Sequence, residues 1–541
     1  MNQPRSHSRQ VKLVPLALCI CATLPGSGGL HAASANSADG ATEDRLSTFS
    51  NGVFGAPANT RAHSHDLAAF FAHLDDRSRM AMSPPQPAAT RSVSTCADSG
   101  TGSLRAAIGL AGTGDVIDMS QLACSTITLA SDLGLITVAD ITLRGPTAHT
   151  LTIDAAHHVA FLHTGHGTLT VSDLAVKNGN YGLGGCIATV GNASLTRVTV
   201  SSCVAIGYGS NAFGGGVFVA GNLTLASSTL SGNTAGNRCQ VLLCRPQERP
   251  AAIDAVSLTG GGGAYVIGNA TITASTISGN VSICAQRAAA GALFVAHDAT
   301  LTTSTISGNT VSAPNTLQEL GGGIVMYGAT TLNATTVDSN HASVGGGVVA
   351  GGPTTVGALT LLQSTVSTNS AASAGGVLCG NPVFNLNNST VAFNLADGIG
   401  GGGIVLSRTG ALQLKAQSSI VGKNSVDIGA TLAADIARSQ AAVTMTGANN
   451  LVVAVDGAIT LPAGTLRSDP QLASLAANGG PTRTHALQST SPAVNTGNNN
   501  SNVTFDQRGS DFCRVSGVRA DIGAYERQSG CDSIFRNGFD P

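Results

Sequence analysis

From Ile141 to Leu414 short apolar runs alternate with clusters of Gly, Ser, Thr and Asn, and the alternation repeats. One phrase recurs as Thr229-Leu-Ser-Gly-Asn233, Thr276-Ile-Ser-Gly-Asn280, Thr305-Ile-Ser-Gly-Asn309, Thr336-Val-Asp-Ser-Asn340, Thr365-Val-Ser-Thr-Asn369 and Thr390-Val-Ala-Phe-Asn394, with a looser Ser419-Ile-Val-Gly-Lys-Asn424. A second phrase, a Gly run followed by three mostly apolar residues, precedes most of these, as at Gly214 to Val219 and Gly321 to Met326. Successive phrase-ending Asn residues lie 47, 29, 31, 29, 25 and 30 apart, and an inserted loop (Ala235 to Val256) accounts for the 47. Runs this short, rich in Thr, Val, Ile and Leu, predict strands. A period near thirty without amphipathic helices excludes ankyrin and tetratricopeptide arrays, and propeller blades need longer, aromatic-marked repeats. The prediction is all-β: a right-handed parallel β-helix with three short strands per coil.

Alternation within each run sets the faces. After each Gly run the first and third residues point inward: Val217/Val219, Ala264/Val266, Ile324/Met326, Val348/Ala350, Val377/Cys379 and Ile404/Leu406. All are apolar, and Cys379 among them reads as a buried thiol acting as a small hydrophobe. The Gly residues suit turns with positive φ. Asn tolerates the left-handed conformation of a sharp turn, and identical amides one strand spacing apart can bond up and down in a ladder. Asn233, Asn280, Asn309, Asn340, Asn369, Asn394 and Asn424 are its expected members. Gly179 and Cys203 occupy the equivalent position earlier, and strands near Ile141, Leu151 and Leu169 bring the coils to about twelve. At about 4.8 Å each, the rod is on the order of 60 Å long.

The flanks divide the rest. Arg5, Arg9 and Lys12, an apolar run from Leu13 to Leu24 and Ala33-Ser34-Ala35 read as an export signal over residues 1–35. The run is shorter than the roughly 20 residues that span a bilayer, and no transmembrane segment is expected after it. Residues 36–92 form a spacer, with a short helix near His65 to Met80 and a hinge at Pro84, Pro85 and Pro87; the histidines His63, His65 and His73 read as solvated. A cap helix entered from Ser103 starts the β-helix, assigned to 93–466. Residues 467–530 form a C-terminal cap and 531–541 a tail.

Composition restricts function more than fold. Charged residues make up 10% and Gly 68 of 541, while apolar content is 42% with no Trp. That is too apolar for disorder, so the surface is built from Ser, Thr, Asn and Gly. Removing the first 35 residues takes the formal net charge from −2 to −5, since three basic groups leave. No basic patch for nucleic acid results. Export implies an oxidising compartment. Cys96 with Cys124 brackets the start of the ordered region, Cys513 with Cys531 its end, and Cys239 with Cys244 shares one loop. These are the expected disulfides, although spacing alone does not fix connectivity.

The segment Asp98-Ser-Gly-Thr-Gly-Ser-Leu-Arg-Ala-Ala-Ile108, with Asp115-Val-Ile-Asp118 and Ile127-Thr-Leu129, resembles the opening of bacterial right-handed parallel β-helix proteins. The Gly-run and Ser-Thr-Ile-Ser-Gly-Asn repeats are similar to those of polymorphic outer membrane proteins. Asn478-Gly-Gly-Pro-Thr-Arg-Thr-His-Ala-Leu487 through Asp506-Gln-Arg-Gly509 to Arg519-Ala-Asp-Ile-Gly-Ala-Tyr-Glu526 resembles the choice-of-anchor Q C-terminal region. The resemblance spans roughly residues 93 to 530 and implies a pectin-lyase-like solenoid that is exported and placed at the cell surface or outside the cell. One departure from the pattern of the outer membrane proteins is that no C-terminal barrel is expected within these residues.

Candidate chemistry is sparse. A β-helix lyase or hydrolase needs carboxylates converging on one face, whereas the only acid in the outward slot of the phrase is Asp338, between Ser307 and Ser367. His157, His158, His163 and His166 match no metal-ligand spacing and read as turn and surface residues; neither metal nor cofactor is expected. Arg238, Arg245, Arg249 and Arg287 make the inserted loop a candidate recognition patch, since long loops on rigid scaffolds carry function. Asp506, Arg508, Arg519, Asp521 and Glu526 read as an ion-pair cap over the last coil. The sequence thus points to a non-enzymatic, adhesin-like scaffold for a glycan or extracellular protein. A carbohydrate-active β-helix enzyme is the alternative.

Overall fold

The computed structural model describes residues 88–207, 211–237, 258–283, 287–312, 319–351, 356–398, 400–427 and 433–528. Within them one short helix, Leu104–Gly109, is capped by the Ser103 side chain, which accepts the Ala106 N–H. Apart from one antiparallel pair near the C-terminal end, everything else with regular structure is strand wound as a parallel β-helix of three sheets. The first sheet holds 22 strands, two per coil through most of its length. The second holds 12, one per coil from Thr126–Thr128 to Leu451–Val452. The third holds 13. Twelve rungs in the second sheet define eleven turns, about 53 Å at the spacing of paired strands.

Pairing in the second sheet runs without slippage. Thr199, Thr229, Thr276, Thr305, Thr336, Thr365 and Thr390 stack in one row, and Val200, Leu230, Ile277, Ile306, Val337, Val366 and Val391 in the next. The second of these rows is fully buried. So are the inward pairs that follow the Gly runs. Their middle residues, expected to face outward, are buried as well. Phe218, Tyr265 and Phe294 stack on one another, with Tyr265 and Phe294 ring centroids 4.4 Å apart. Val325 and Val349 lie over the first Gly of their runs, where a Cβ on Gly321 or Gly345 would meet a Val methyl. That Gly also holds positive φ in most coils; Ala290 and Ala374 carry it in two.

The seven asparagines line up, all within the core. From Asn280 to Asn424 each Oδ1 accepts both the backbone N–H and the Nδ2–H of the Asn one rung before, at 2.9–3.1 Å. Each Nδ2 also donates to a carbonyl of the previous coil, as Asn309 does to Ile277. Cys203 starts the line by donating its N–H to Asn233, and Asp435 ends it by accepting both donors of Asn424. One expectation changes: the left-handed residue is the one before each Asn, namely Gly232, Gly279, Gly308, Ser339, Thr368, Phe393 and Lys423. The amide is thereby freed from turn duty and points inward. The third Gly of a run packs on it, since a Cβ at Gly347 would sit 2.9 Å from Asn369 Nδ2. The two repeated phrases are therefore two sides of one contact.

A second ladder, absent from the sequence reading, lines the corner between first and second sheets. Ser228, Ser275, Ser304, Thr335, Ser364, Ser389 and Ser419 each accept the N–H of the preceding rung through a hydroxyl. Each also donates that hydroxyl to its own i−2 carbonyl, as Ser304 does to Thr302. Asn450 closes this series on Ser419.

Two disulfides lie among the described residues. Cys96–Cys124 ties the helix end to the first coils, and Cys186–Cys203, unassigned from sequence, closes a loop of separation 17. Cys513 is also disulfide-bonded; Cys531, Cys239 and Cys244 lie outside the described residues. Cys379 is free and buried, and burial pushes its thiol up to about 12.

An Asn309→Leu replacement keeps the volume but leaves the backbone and side-chain donors of Asn280 without their acceptor in a dry site. At about 1–3 kcal/mol for each orphaned group, we expect a loss of roughly 3 kcal/mol or more in urea denaturation. A loss under about 0.5 kcal/mol would mean the amides are not coupled.

Candidate binding face

Among the described residues, the outer side of the first sheet and the upper part of the second present rows of polar side chains. In the first sheet the second strand of each coil presents a straight outward row. It passes from Thr142 and Thr170 through Thr271, Thr300 and Thr360 to Asn385 and Lys415. Thr196, Ala226, Thr273, Thr302 and Asn333 run beside it. Hydroxyls and amides thus repeat about every 4.8 Å along the rod and about 6.6 Å across it. At the bend above this face Asn192, Asn222 and Asn269 each accept the N–H of the next coil, which fixes the pitch.

Toward the C-terminal end the row deepens into a groove of about 480 Å³, lined by Leu362, Asn385, Asn387, Lys415, Gln417, Asn500 and Ser501 among others. Its far wall comes from the C-terminal segment. Asn498 holds that wall by donating to Ser418 Oγ at 2.7 Å and to Asn449 Oδ1 at 2.7 Å. Asn385 Nδ2 donates to Thr360 Oγ1 at 3.1 Å, while Gln417 Nε2 is buried without a partner. Lys415 makes no ion pair among the described residues. The lining offers one cation, four amides and a hydroxyl, a set suited to hydroxyl-rich or anionic groups and without the carboxylate pair of a glycosidase.

The C-terminal segment does not sit on the last coil as expected; it runs back along the outer side of the second sheet. An antiparallel pair, Leu472–Ala476 with Thr484–Leu487, anchors it. Leu472, Leu487, Ala493 and Ile522 pack on Ala392, Ile420 and Leu451, the outward residues of the lowest rungs. Above this apolar patch the contact is polar. Thr336 Oγ1 donates to the Arg483 carbonyl and Thr365 Oγ1 to Gln507 Oε1, at 2.7 and 2.6 Å. Ser367 Oγ meets His485 Nε2 at 2.8 Å, while His485 Nδ1 faces the Ala473 carbonyl at 2.7 Å. That carbonyl can only accept, so Nδ1 carries the proton and Nε2 accepts from Ser367. Asp338, fully buried here, is paired with Arg483. Burial nonetheless raises its carboxyl above the ordinary range, and its Oδ1 has no hydrogen-bond partner.

Within the segment Arg508 pairs with Asp506 at 2.7 Å and lies between the Phe512 and Tyr525 rings, 3.9 Å from each centroid. Gly480 is required beneath it, because a Cβ would lie 2.4 Å from Arg508 Cα. Glu526 accepts the backbone N–H groups of Ser516 and Asp521, and Asp521 accepts those of Asn495 and Arg527. Burial pushes Glu526 up to about 7. Arg519, expected in this cluster, is exposed, and Arg514 takes its place: fully buried, donating to Gly523 O at 2.9 Å and lying 3.7 Å from Glu526.

Other expected residues are dispersed. His163 is buried rather than at the surface, between Thr189 Oγ1 at 2.7 Å and the Val138 carbonyl at 2.9 Å. His158 faces Asp132 at 3.4 Å. Among the described residues no three His, Cys, Asp or Glu side chains could together hold a metal ion. Arg238, Arg245 and Arg249 lie outside the described residues, and Arg287 begins a strand paired with Leu258. Four successive coils carry an insertion at the same point of the third sheet, for example between Thr234–Asn237 and Leu258–Gly260. In the next coil one strand, His341–Val344, runs through instead.

These features define a parallel β-helix protein. No family model matches the chain, and no curated protein matches it. Among solved structures, the crystal structure of pectate lyase Pel9A aligns with a TM-score of 0.39 at 14% identity, over 81% of this chain and 96% of that one.

Burial holds His485 below its ordinary value. Its neutral form favours docking, so this contribution is fully present above pH 6.5 and is lost as pH falls through the lowered folded value. We expect protease protection of residues 467–528 to weaken on acidification, and less steeply in His485→Phe. Equal slopes in the two proteins would show that His485 is not the sensor.

Proposed function

We propose that this chain is an exported, non-enzymatic scaffold that binds glycans along the outer face of its first sheet. One observation carries the reading: a straight row of hydroxyls and amides that ends in a groove with Lys415 on one wall and Asn500 on the other. Such a surface offers donors and acceptors at fixed pitch to a polyhydroxylated polymer, with a charge to orient an anionic substituent. Two disulfides and an N-terminal stretch that reads as an export signal support placement outside the cytoplasm. No helix among the described residues is long and apolar enough to cross a membrane. The resemblance of the repeats and of the C-terminal region to cell-surface β-helix proteins agrees with a surface or extracellular, adhesin-like role.

A polysaccharide array probed with the purified protein tests this. Retention on one or more glycans is expected, weakened roughly tenfold or more in an Asn385→Leu, Lys415→Glu double variant whose thermal midpoint moves by no more than a few degrees, since Lys415 is exposed and half-buried Asn385 gives up one hydrogen bond. No retention on any glycan would overturn the reading. Calcium-dependent release of unsaturated product would replace it with a carbohydrate-active enzyme.

A further inference from the structure

Over the seven rungs from Thr199 to Thr390 the outward rows of the second sheet divide into an upper and a lower half that share a Thr at the first position. In the lower half Thr336, Asp338, Thr365, Ser367 and Thr390 are buried beneath the chain's own C-terminal segment. Every hydroxyl there is engaged: Thr336 to a backbone carbonyl, Thr365 to a side-chain amide, Ser367 to an imidazole, and Thr390 to the N–H of Ala524. In the upper half Thr199/Ser201, Thr229/Ser231, Thr276/Ser278 and Thr305/Ser307 continue the same two rows in the same register. Their hydroxyls make no hydrogen bond among the described residues, and nothing described covers them. The backbone beneath is equally rigid, since the amide and hydroxyl ladders flank both halves.

We infer that the open rungs from Thr199 to Ser307 are a docking surface for an extended polypeptide whose side chains carry imidazole and carboxamide groups. The interface with the C-terminal segment is the template. It shows Thr and Ser hydroxyls at this pitch engaging a backbone carbonyl (Arg483), a backbone N–H (Ala524), the His485 imidazole and the Gln507 carboxamide, while the Arg483 guanidinium goes to the Asp338 carboxylate. The open rungs are continuous with it and offer the same row of hydroxyls. One difference sets the strength of the contact. The covered half has Asp338 where the open half has Ser307, and it adds the apolar seat of Ala392, Ile420 and Leu451. The open half therefore binds by polar contact alone, as a reversible site. This surface is separate from the first-sheet row, and the inference stands independently of the glycan reading.

The test uses the intact protein and a synthetic peptide of residues 479–488, which carries Arg483 and His485, with a scrambled peptide as control. Saturable binding in the micromolar to millimolar range is expected. A Thr276→Lys, Thr305→Lys variant should weaken it roughly tenfold, and Ser307→Asp, which restores the carboxylate of the lower half, should tighten it by a similar factor. Absence of binding overturns the inference. So does binding that neither variant alters, which would place the peptide on the lower rungs in exchange for the chain's own segment.

Discussion

The fold depends on a buried amide that must be paired on both sides. A carboxamide removed from water without partners costs several kcal/mol, yet here one enters the core on seven successive rungs, and each is satisfied mainly by the rungs above and below. That requirement is cooperative. A coil that slipped by one residue would orphan two donors and an acceptor and turn its Val or Ile row to solvent. Cys203 and Asp435 end the series with groups that need no further rung: a plain N–H at one end and an acceptor-only carboxylate at the other. The rod has sequence-encoded stops as well as a sequence-encoded pitch.

Function follows from the rigidity. With inward rows filled by aliphatics and corners tied by amide and hydroxyl ladders, the outward positions are free to vary, and their spacing is inherited from the sheet. Few charges are used. Those near the N-terminal end pair between adjacent rungs, as Asp118 with Arg144 and Asp173 with Arg197, and Arg144 holds Asp118 at about 2. The remaining faces are uncharged hydroxyl and amide arrays, better suited to extended polymers than to a compact substrate.

What repeats was legible in the sequence; what occurs once was not. The period, the inward pairs and the seven asparagines are local and periodic, so a single chain displays them. The hydroxyl ladder went unread because a Ser before each Thr looks like ordinary turn composition. The path of the C-terminal segment is a long-range property, but the repeats did carry its trace. Ser-Gly-Asn becomes Asp-Ser-Asn340, Ser-Thr-Asn369, Ala-Phe-Asn394 and Gly-Lys-Asn424 over the rungs that the segment covers. The side chains replacing the left-handed Gly contact the segment in at least two cases, Phe393 against the His485 ring and Lys423 on Asp469. Ile420 and Leu451, apolar on the outward side, mark the same region. Arg514 and Arg519 are equally basic in sequence, and only packing separates the buried one from the exposed one.

Native-state hydrogen exchange across the rungs tests the central claim most directly. If stacked amides hold the register, the backbone N–H groups of Asn280, Asn309, Asn340, Asn369 and Asn394 exchange only through global unfolding, with one shared free energy. Exchange that differs from rung to rung, or that matches the loops, would show that each coil stands alone and that the ladder is a by-product of the winding.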